Sequence, residues 1–309
     1  MADLGVEPAK EPTVFIDPIW APVNGEPGLV SVTSLISSSS GLWALAGGNV
    51  YHSTTSGVTW RKIDASAIPS SILCLASDSL GTIVAGVLAP SAMWKYEQDE
   101  GTWKQINTGL EYRSVTHVVA ASTTILFAGT PGWGVFRSTD GGVSWSPAST
   151  GLPTGDITIL HQTAGGRLFA GTPSSGLYTS ADSGSTWSLA ETGAGNHEIS
   201  AISTNPAGTV FLGTAAGLFC SSDGGSSWIQ TFPFSAGTEF RALFSPRSGL
   251  LYAGTNRGVL RSHDNGRTWE DMSQGLVGIG VHTILALPDR RLLAGTLQGL
   301  FYTRLPMEP

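Results

Sequence analysis

Charge is scarce in this chain. Only 13% of its 309 residues are Asp, Glu, Lys or Arg, and lysine occurs four times. That leaves too few solvated side chains to cover the outer stripes of many helices, so almost no helix is expected. The net charge of −7 gives a field that does not attract nucleic acid, and none is expected as a partner. Two cysteines, Cys74 and Cys220, cannot make a disulfide-stapled scaffold; their different positions in the chain read as two buried thiols. No uninterrupted apolar run is long enough to cross a bilayer, which argues against membrane insertion. The opening residues MADLGVEPAKEP carry charge and proline where a secretory leader needs an apolar core, and no Asn-x-Ser/Thr acceptor occurs. A cytoplasmic protein is the expectation, or an exported one if a leader has been removed. Also lacking are HExxH or any similar histidine spacing, GxxxxGK[ST] and GxGxxG, so neither metal nor cofactor is expected.

Glycine is what the chain has in quantity, with 40 residues, and much of it sits in a repeated segment. STDGGVSW (138–145) returns as SADSGSTW (180–187), SSDGGSSW (221–228) and SHDNGRTW (262–269). The carboxylates of Asp140, Asp182, Asp223 and Asp264 can accept backbone N–H groups and hold a tight turn. Glycine supplies the positive φ, and the tryptophan opens the next strand with a large apolar surface. With one carboxylate per copy, a calcium loop is excluded and the aspartates read as structural. Trp60, Trp103, Trp145, Trp187, Trp228 and Trp269 are spaced by 43, 42, 42, 41 and 41 residues, the size of one four-stranded propeller blade. Seven glycine markers near the end of a strand, at Gly47, Gly86, Gly129, Gly171, Gly213, Gly254 and Gly295, stand against six tryptophan segments.

On these motifs the chain resembles the Asp-box (BNR) repeat β-propellers. Within them it is more similar to the single-domain seven-bladed photosystem II assembly factors than to the sialidases. The resemblance implies an all-β, seven-bladed propeller of four-stranded blades and, from the assembly factors, a platform that binds a protein partner. Residues 1–12 read as an extension, 13–305 as one propeller and 306–309 as a tail. The last repeat stops after its third strand, so 13–23, with Trp20, are expected to supply the outer strand of blade seven and close the ring. Two segments depart from the pattern: Thr55 replaces the aspartate in blade one, and KYEQDEGTW loses the spacing in blade two. Looser turns are expected in both.

The resemblance places function on loops. Top-face candidates are Tyr112, Arg113, Trp133, Asp156, His197, Glu198, Glu239, Arg241, Asn256, Arg257 and His282. A sialidase-like hydrolase would draw an arginine triad from Arg113, Arg241 and Arg257, with Tyr112 and Glu198 or Glu239, but the Arg-Ile-Pro segment of that family is absent. A xyloglucanase-type hydrolase would need a second propeller to form its carboxylate cleft. A glycan-binding module would use Tyr112 and Trp133. No nucleophile, base and orienting group stand out, and a non-catalytic protein-binding scaffold, as a subunit or assembly factor of a larger complex, is the expected function. Eight of the twelve arginines fall between Arg241 and Arg304 against four acids, so that segment is +4 and the remainder −11. The repeat register puts Arg247, Arg267, Arg290 and Arg291 on the bottom face of blades six and seven, which predicts a partner with an acidic surface.

Overall fold

Short strands bounded by glycine turns can bury their faces only by stacking sheet on sheet, and a ring lets every sheet do so. The computed structural model describes residues 19–26, 30–153, 155–195, 197–233 and 237–304. Within them lie seven four-stranded antiparallel sheets and no helix. Blades one to six begin at Val32, Ile72, His117, Ile159, Ile199 and Phe240, and their strands pair in chain order. Blade seven is built from Val281–Ala286, Leu292–Thr296 and Gly299–Thr303, with Trp20–Pro22 as its outer strand. The inner strands pack side by side around the ring, Val32–Ser38 lying against Val281–Ala286 to complete it. We call the face carrying the loops from outer strand to next inner strand the top, and the face with the Ser-x-Asp-x-Gly turns the bottom.

The second strands of blades two to seven are buried along their whole length, as in Leu126–Thr130 and Val210–Thr214, and that of blade one is buried apart from Gly41. Inner strands are only partly buried. His117–Ala120 is half-buried throughout, because the ring leaves one side of each inner strand beside the central channel. The marker glycines have a packing reason. A Cβ on Gly86, Gly129, Gly213, Gly254 or Gly295 would come within 2.9 Å of the next blade's leading residues, namely Val115, Ile157, Phe240, Val281 and Val32. Glycine is what lets adjacent sheets approach. Blade one departs here: Gly47 falls in the turn beyond the strand, and Leu45 takes the marker position.

The Ser-x-Asp-x-Gly turns are closed hydrogen-bond circuits. Ser180 Oγ donates to Asp182 Oδ1 (2.8 Å) and accepts the Gly184 N–H (2.9 Å), while the carboxylate accepts the Thr186 N–H (2.9 Å) and hydroxyl (2.6 Å). Asp140, Asp223 and Asp264 repeat the circuit with Ser144, Ser227 and Thr268. The Thr186 hydroxyl and N–H, then the Ser180 hydroxyl, hold the Asp182 carboxyl down at about 2. Blade one corrects the expectation of a loose turn. Thr55 Oγ1 accepts the Thr59 N–H (2.8 Å) and Ser53 Oγ accepts the Gly57 N–H (3.0 Å), so a neutral hydroxyl keeps the same shape. In blade two, Met93–Glu97 and Thr102–Gln105 form a plain hairpin, with no such turn between them.

A carboxyl whose value is lowered by folding stabilises the fold above its unfolded value of ~4, and that contribution disappears as pH falls through the folded value. We therefore expect Asp182→Asn to melt below the parent at pH 7, with the gap closing as pH drops towards 2, where the parent carboxyl is protonated as well. Thermal melts across that range test this. An undiminished gap at the acid end would show that the charge does not hold the turn.

Ring closure uses the contacts found where blade three meets blade two and blade four meets blade three. Trp145 and Trp187 each donate the backbone N–H to Thr108 O and Thr150 O (both 2.8 Å), and the indole N–H to Ile106 O (2.7 Å) and Ala148 O (2.8 Å), all in the preceding blade's outer edge. Trp20 does the same to Gln274 O (3.1 Å) and Met272 O (2.7 Å). It is thus blade seven's counterpart of those tryptophans. Of the expected segment 13–23, residues 13–18 lie outside the described residues and 20–22 form the strand.

Candidate functional site

Bulges bend a strand and re-aim a side chain, and on the top face they recur at one place. The inner strand is bulged just after its start at Thr33, Leu73, Ser200, Arg241 and His282. Arg241 and His282 come from adjacent blades and meet, Nη1 to Nε2, at 3.3 Å. Arginine can only donate, so His282 accepts through Nε2 and carries its proton on Nδ1. Burial, and then the Arg241 charge, lower the His282 pKa from its ordinary value and keep it neutral near pH 7. Arg241 Nη2 also pairs with Glu239 Oε2 at 2.9 Å. Asn256 joins the group, donating Nδ2–H to Gly237 O (2.8 Å) and accepting the Glu239 N–H (3.1 Å). Arg257 lies alongside, close enough that a Cβ on Gly237 would be 2.5 Å from its Nη2. Five of the top-face candidates thus form one polar cluster, largely satisfied within itself.

A second cluster lies across the ring, at blades two and three. The Arg113 guanidinium stacks between Trp133 (4.7 Å) and Phe136 (5.1 Å), and Nη1 donates to Glu111 O at 3.1 Å. Trp133 is 61% exposed and Tyr112 83%, the latter at φ +62°, a left-handed conformation uncommon for a bulky side chain. Asp156, His197 and Glu198 are exposed and belong to neither cluster. Arg113 therefore stands on the opposite side of the channel from Arg241 and Arg257, and the three do not converge on one anion. Two further histidines sit beside the channel, His117 and His161, both pushed down to about 4 by burial; His161 is also hydrogen-bonded to Thr204 (2.8 Å). The thiols are unpaired and half-buried, and burial raises Cys74 to about 12, too high for a ready nucleophile. Among the described residues no three His, Cys, Asp or Glu side chains could hold a metal ion.

On the bottom face the four arginines share a side of the ring but not a pocket. Arg247 ends the inner strand of blade six and is exposed. Arg290 and Arg291 occupy the corresponding turn of blade seven, Arg290 exposed at φ +67°. Arg291 is half-buried, with Nε paired to Asp289 (2.7 Å) and the guanidinium over Tyr302 (5.7 Å). Arg267 lines a hollow with Cys220 and Ile229, at the border of blades five and six. A larger cavity, about 220 Å3, opens at the seam of blades seven and one, walled by Val23, Val58, Leu287, Leu293, Tyr302 and Arg291. Sequence reasoning passed over it. Its signal was Leu293, which stands where blades three, four and five carry Phe127, Phe169 and Phe211.

No protein-family model matches the chain, and no curated protein matches it. Similarity appears among solved structures. YCF48 bound to D1 peptide aligns with a TM-score of 0.75 at 16% identity, over 94% of this chain and 97% of that one. Streptogramin B lyase aligns at 0.76 and 11% identity, over 93% and 97%. The extracellular domain of the putative hybrid two component system BT4673 from B. thetaiotaomicron aligns at 0.75 and 15% identity; it covers 94% of this chain, which spans 40% of its length. Identities this low show the fold alone, and a lyase beside a peptide-bound propeller shows that the fold hosts different work.

Proposed function

We propose that this propeller is a non-catalytic platform that docks a protein with an acidic surface on the bottom face of blades six and seven. The observation that carries the reading is the separation of paired from unpaired arginines. Arg241, Arg261 and Arg291 each have a carboxylate partner at 2.6–2.9 Å. Arg247, Arg267 and Arg290 are exposed on the bottom face, and none of them makes an ion pair among the described residues. Exposed arginines left without partners in an otherwise acidic protein steer and hold an acidic surface. The peptide-bound state of YCF48 supports a protein partner in general. Arg291 contributes less than its sequence position suggests, since its Nε is already paired with Asp289 and only its Nη groups are left for a partner.

The triple variant Arg247→Glu, Arg267→Glu, Arg290→Glu is expected to keep the parent's melting temperature within a few degrees. It should lose most low-salt association with the partner recovered from native cells, by ten-fold or more, because three rim charges reverse sign. The parent's binding should weaken steeply with salt and the variant's should not. Equal binding at all salt concentrations would remove the patch from consideration and leave the top-face clusters.

A further inference from the structure

The seam of blades seven and one differs from the boundaries of blades three with four and four with five in a way that makes a site. Where blade four meets blade three, the turn glycine Gly184 lies against Phe127, a Cβ there falling 3.0 Å from the ring. Where blade five meets blade four, Gly225 lies against Phe169, and a Cβ would come to 2.7 Å. At the closing seam the equivalent glycine is Gly57 and its neighbour is Leu293, with a Cβ at 3.3 Å. Leucine brings less volume to this position than the phenylalanines do, and beside it the cavity of about 220 Å3 remains open. Its walls are the side chains of Val23, Leu287, Leu293 and Tyr302, and its lip is Val58, which is 64% exposed.

We propose that this cavity anchors one large apolar side chain, leucine or phenylalanine, of a partner protein, with an acidic residue adjacent to it in the partner's chain. The proposal rests on the bottom-face reading above for the direction from which the partner approaches. Size selects the occupant. The cavity lies below the ~300–1,000 Å3 of sites that enclose a whole small ligand, and it matches the single-side-chain pockets into which interface hot spots insert. Charge selects the neighbour. Arg291 forms one wall and engages Asp289 through Nε alone, one of its five donors, so a partner carboxylate has its Nη groups to meet. Arg290, beside it in the turn and exposed, adds a second positive charge at the rim. Exposed Val58 completes the lip with apolar surface that has no partner within the monomer's core. Blade one's turn also carries Thr55 in place of the aspartate, which removes a negative charge from the side of the seam that an acidic partner must approach.

The test uses the full chain with 13C-labelled Leu and Val methyl groups, titrated with acetyl-Leu-Asp-amide. Saturable shifts are expected at Val58, Leu287 and Leu293, at least three-fold weaker for acetyl-Leu-Lys-amide and lost for acetyl-Ala-Asp-amide. Leu293→Phe supplies the ring found in blades three to five, so it should abolish the shifts while melting no lower than the parent. Val58→Asp alters only the exposed lip and should abolish them too, which keeps the test decisive if the phenylalanine variant folds poorly. Shifts elsewhere, no saturation, or equal response to the Lys and Asp peptides would overturn the proposal. So would parent dimerisation that Val58→Asp prevents without any peptide response, since a second copy of the chain would then be the occupant. The reversal of Arg247, Arg267 and Arg290 separates the two readings: if it leaves partner binding intact, the platform reading fails, and the dipeptide shifts still decide the pocket.

Discussion

Trp20→Ala is expected to destabilise this protein by ~3–5 kcal/mol, the usual cost of emptying a buried tryptophan site, and deletion of residues 1–22 to destabilise it further. Trp20 is 1% exposed, and both its backbone and indole N–H groups bond across the boundary to blade six. Ala21 and Pro22 pair with Tyr302 and Phe301, so the deletion also bares the edge of Gly299–Thr303. An unpaired edge templates intermolecular pairing; the truncated chain should therefore aggregate on heating as well as melt earlier. Urea titrations of Trp20→Ala and light scattering of the truncation measure the two effects. Parent-like stability in both would mean that the ring closes without its first strand.

Gly151→Ala should be among the most damaging single methyl additions in the loops that lead from one blade's outer strand to the next blade. Gly151 has φ +91°, a conformation that costs an alanine about 1–3 kcal/mol. Its added Cβ would also collide with the backbone O of Trp187, the residue that latches blade four onto blade three. Because the obstacle is backbone, no rotamer change relieves it, and the Trp187 N–H bond to Thr150 O must stretch or break. Gly132→Ala is the control, with φ +77° and nothing within 4 Å of the new methyl group. It should show the conformational cost alone, and the difference between the two variants in denaturant titrations measures the latch. Similar losses in both would reduce Gly151 to an ordinary turn glycine.

The polar candidates illustrate how far a linear reading reaches. Glu239, Arg241, Asn256, Arg257 and His282 span 44 positions, and the repeat register assigns them to one face. That they form one hydrogen-bonded cluster depends on bulges at Arg241 and His282 turning both side chains towards each other. Bulges insert one residue without a sequence signature of their own, so this was not legible. Arg113 came from the same register and face but landed across the channel, where stacking on Trp133 holds it. Arg291 looked like a free charge and proved to be paired two residues away with Asp289, through a turn geometry that composition does not reveal.

By itself, the sequence determined the number of blades, the order of strands within them, the turns that Asp140, Asp182, Asp223 and Asp264 hold, and the need for Trp20 to return to the last blade. Those features are local or periodic: a hydrogen-bond circuit such as that from Ser180 to Thr186 spans seven residues, and a repeat announces its period. Only the tertiary structure decided what each seam between blades contains. Gly86 and Gly254 proved to be contact points for the next sheet, Thr55 an adequate replacement for a carboxylate, and Leu293 the residue beside an open cavity. The reason is that seam packing joins residues from separate repeats, as Gly57 meets Leu293 from the far end of the chain, and the fit between two volumes appears only when the sheets are brought together.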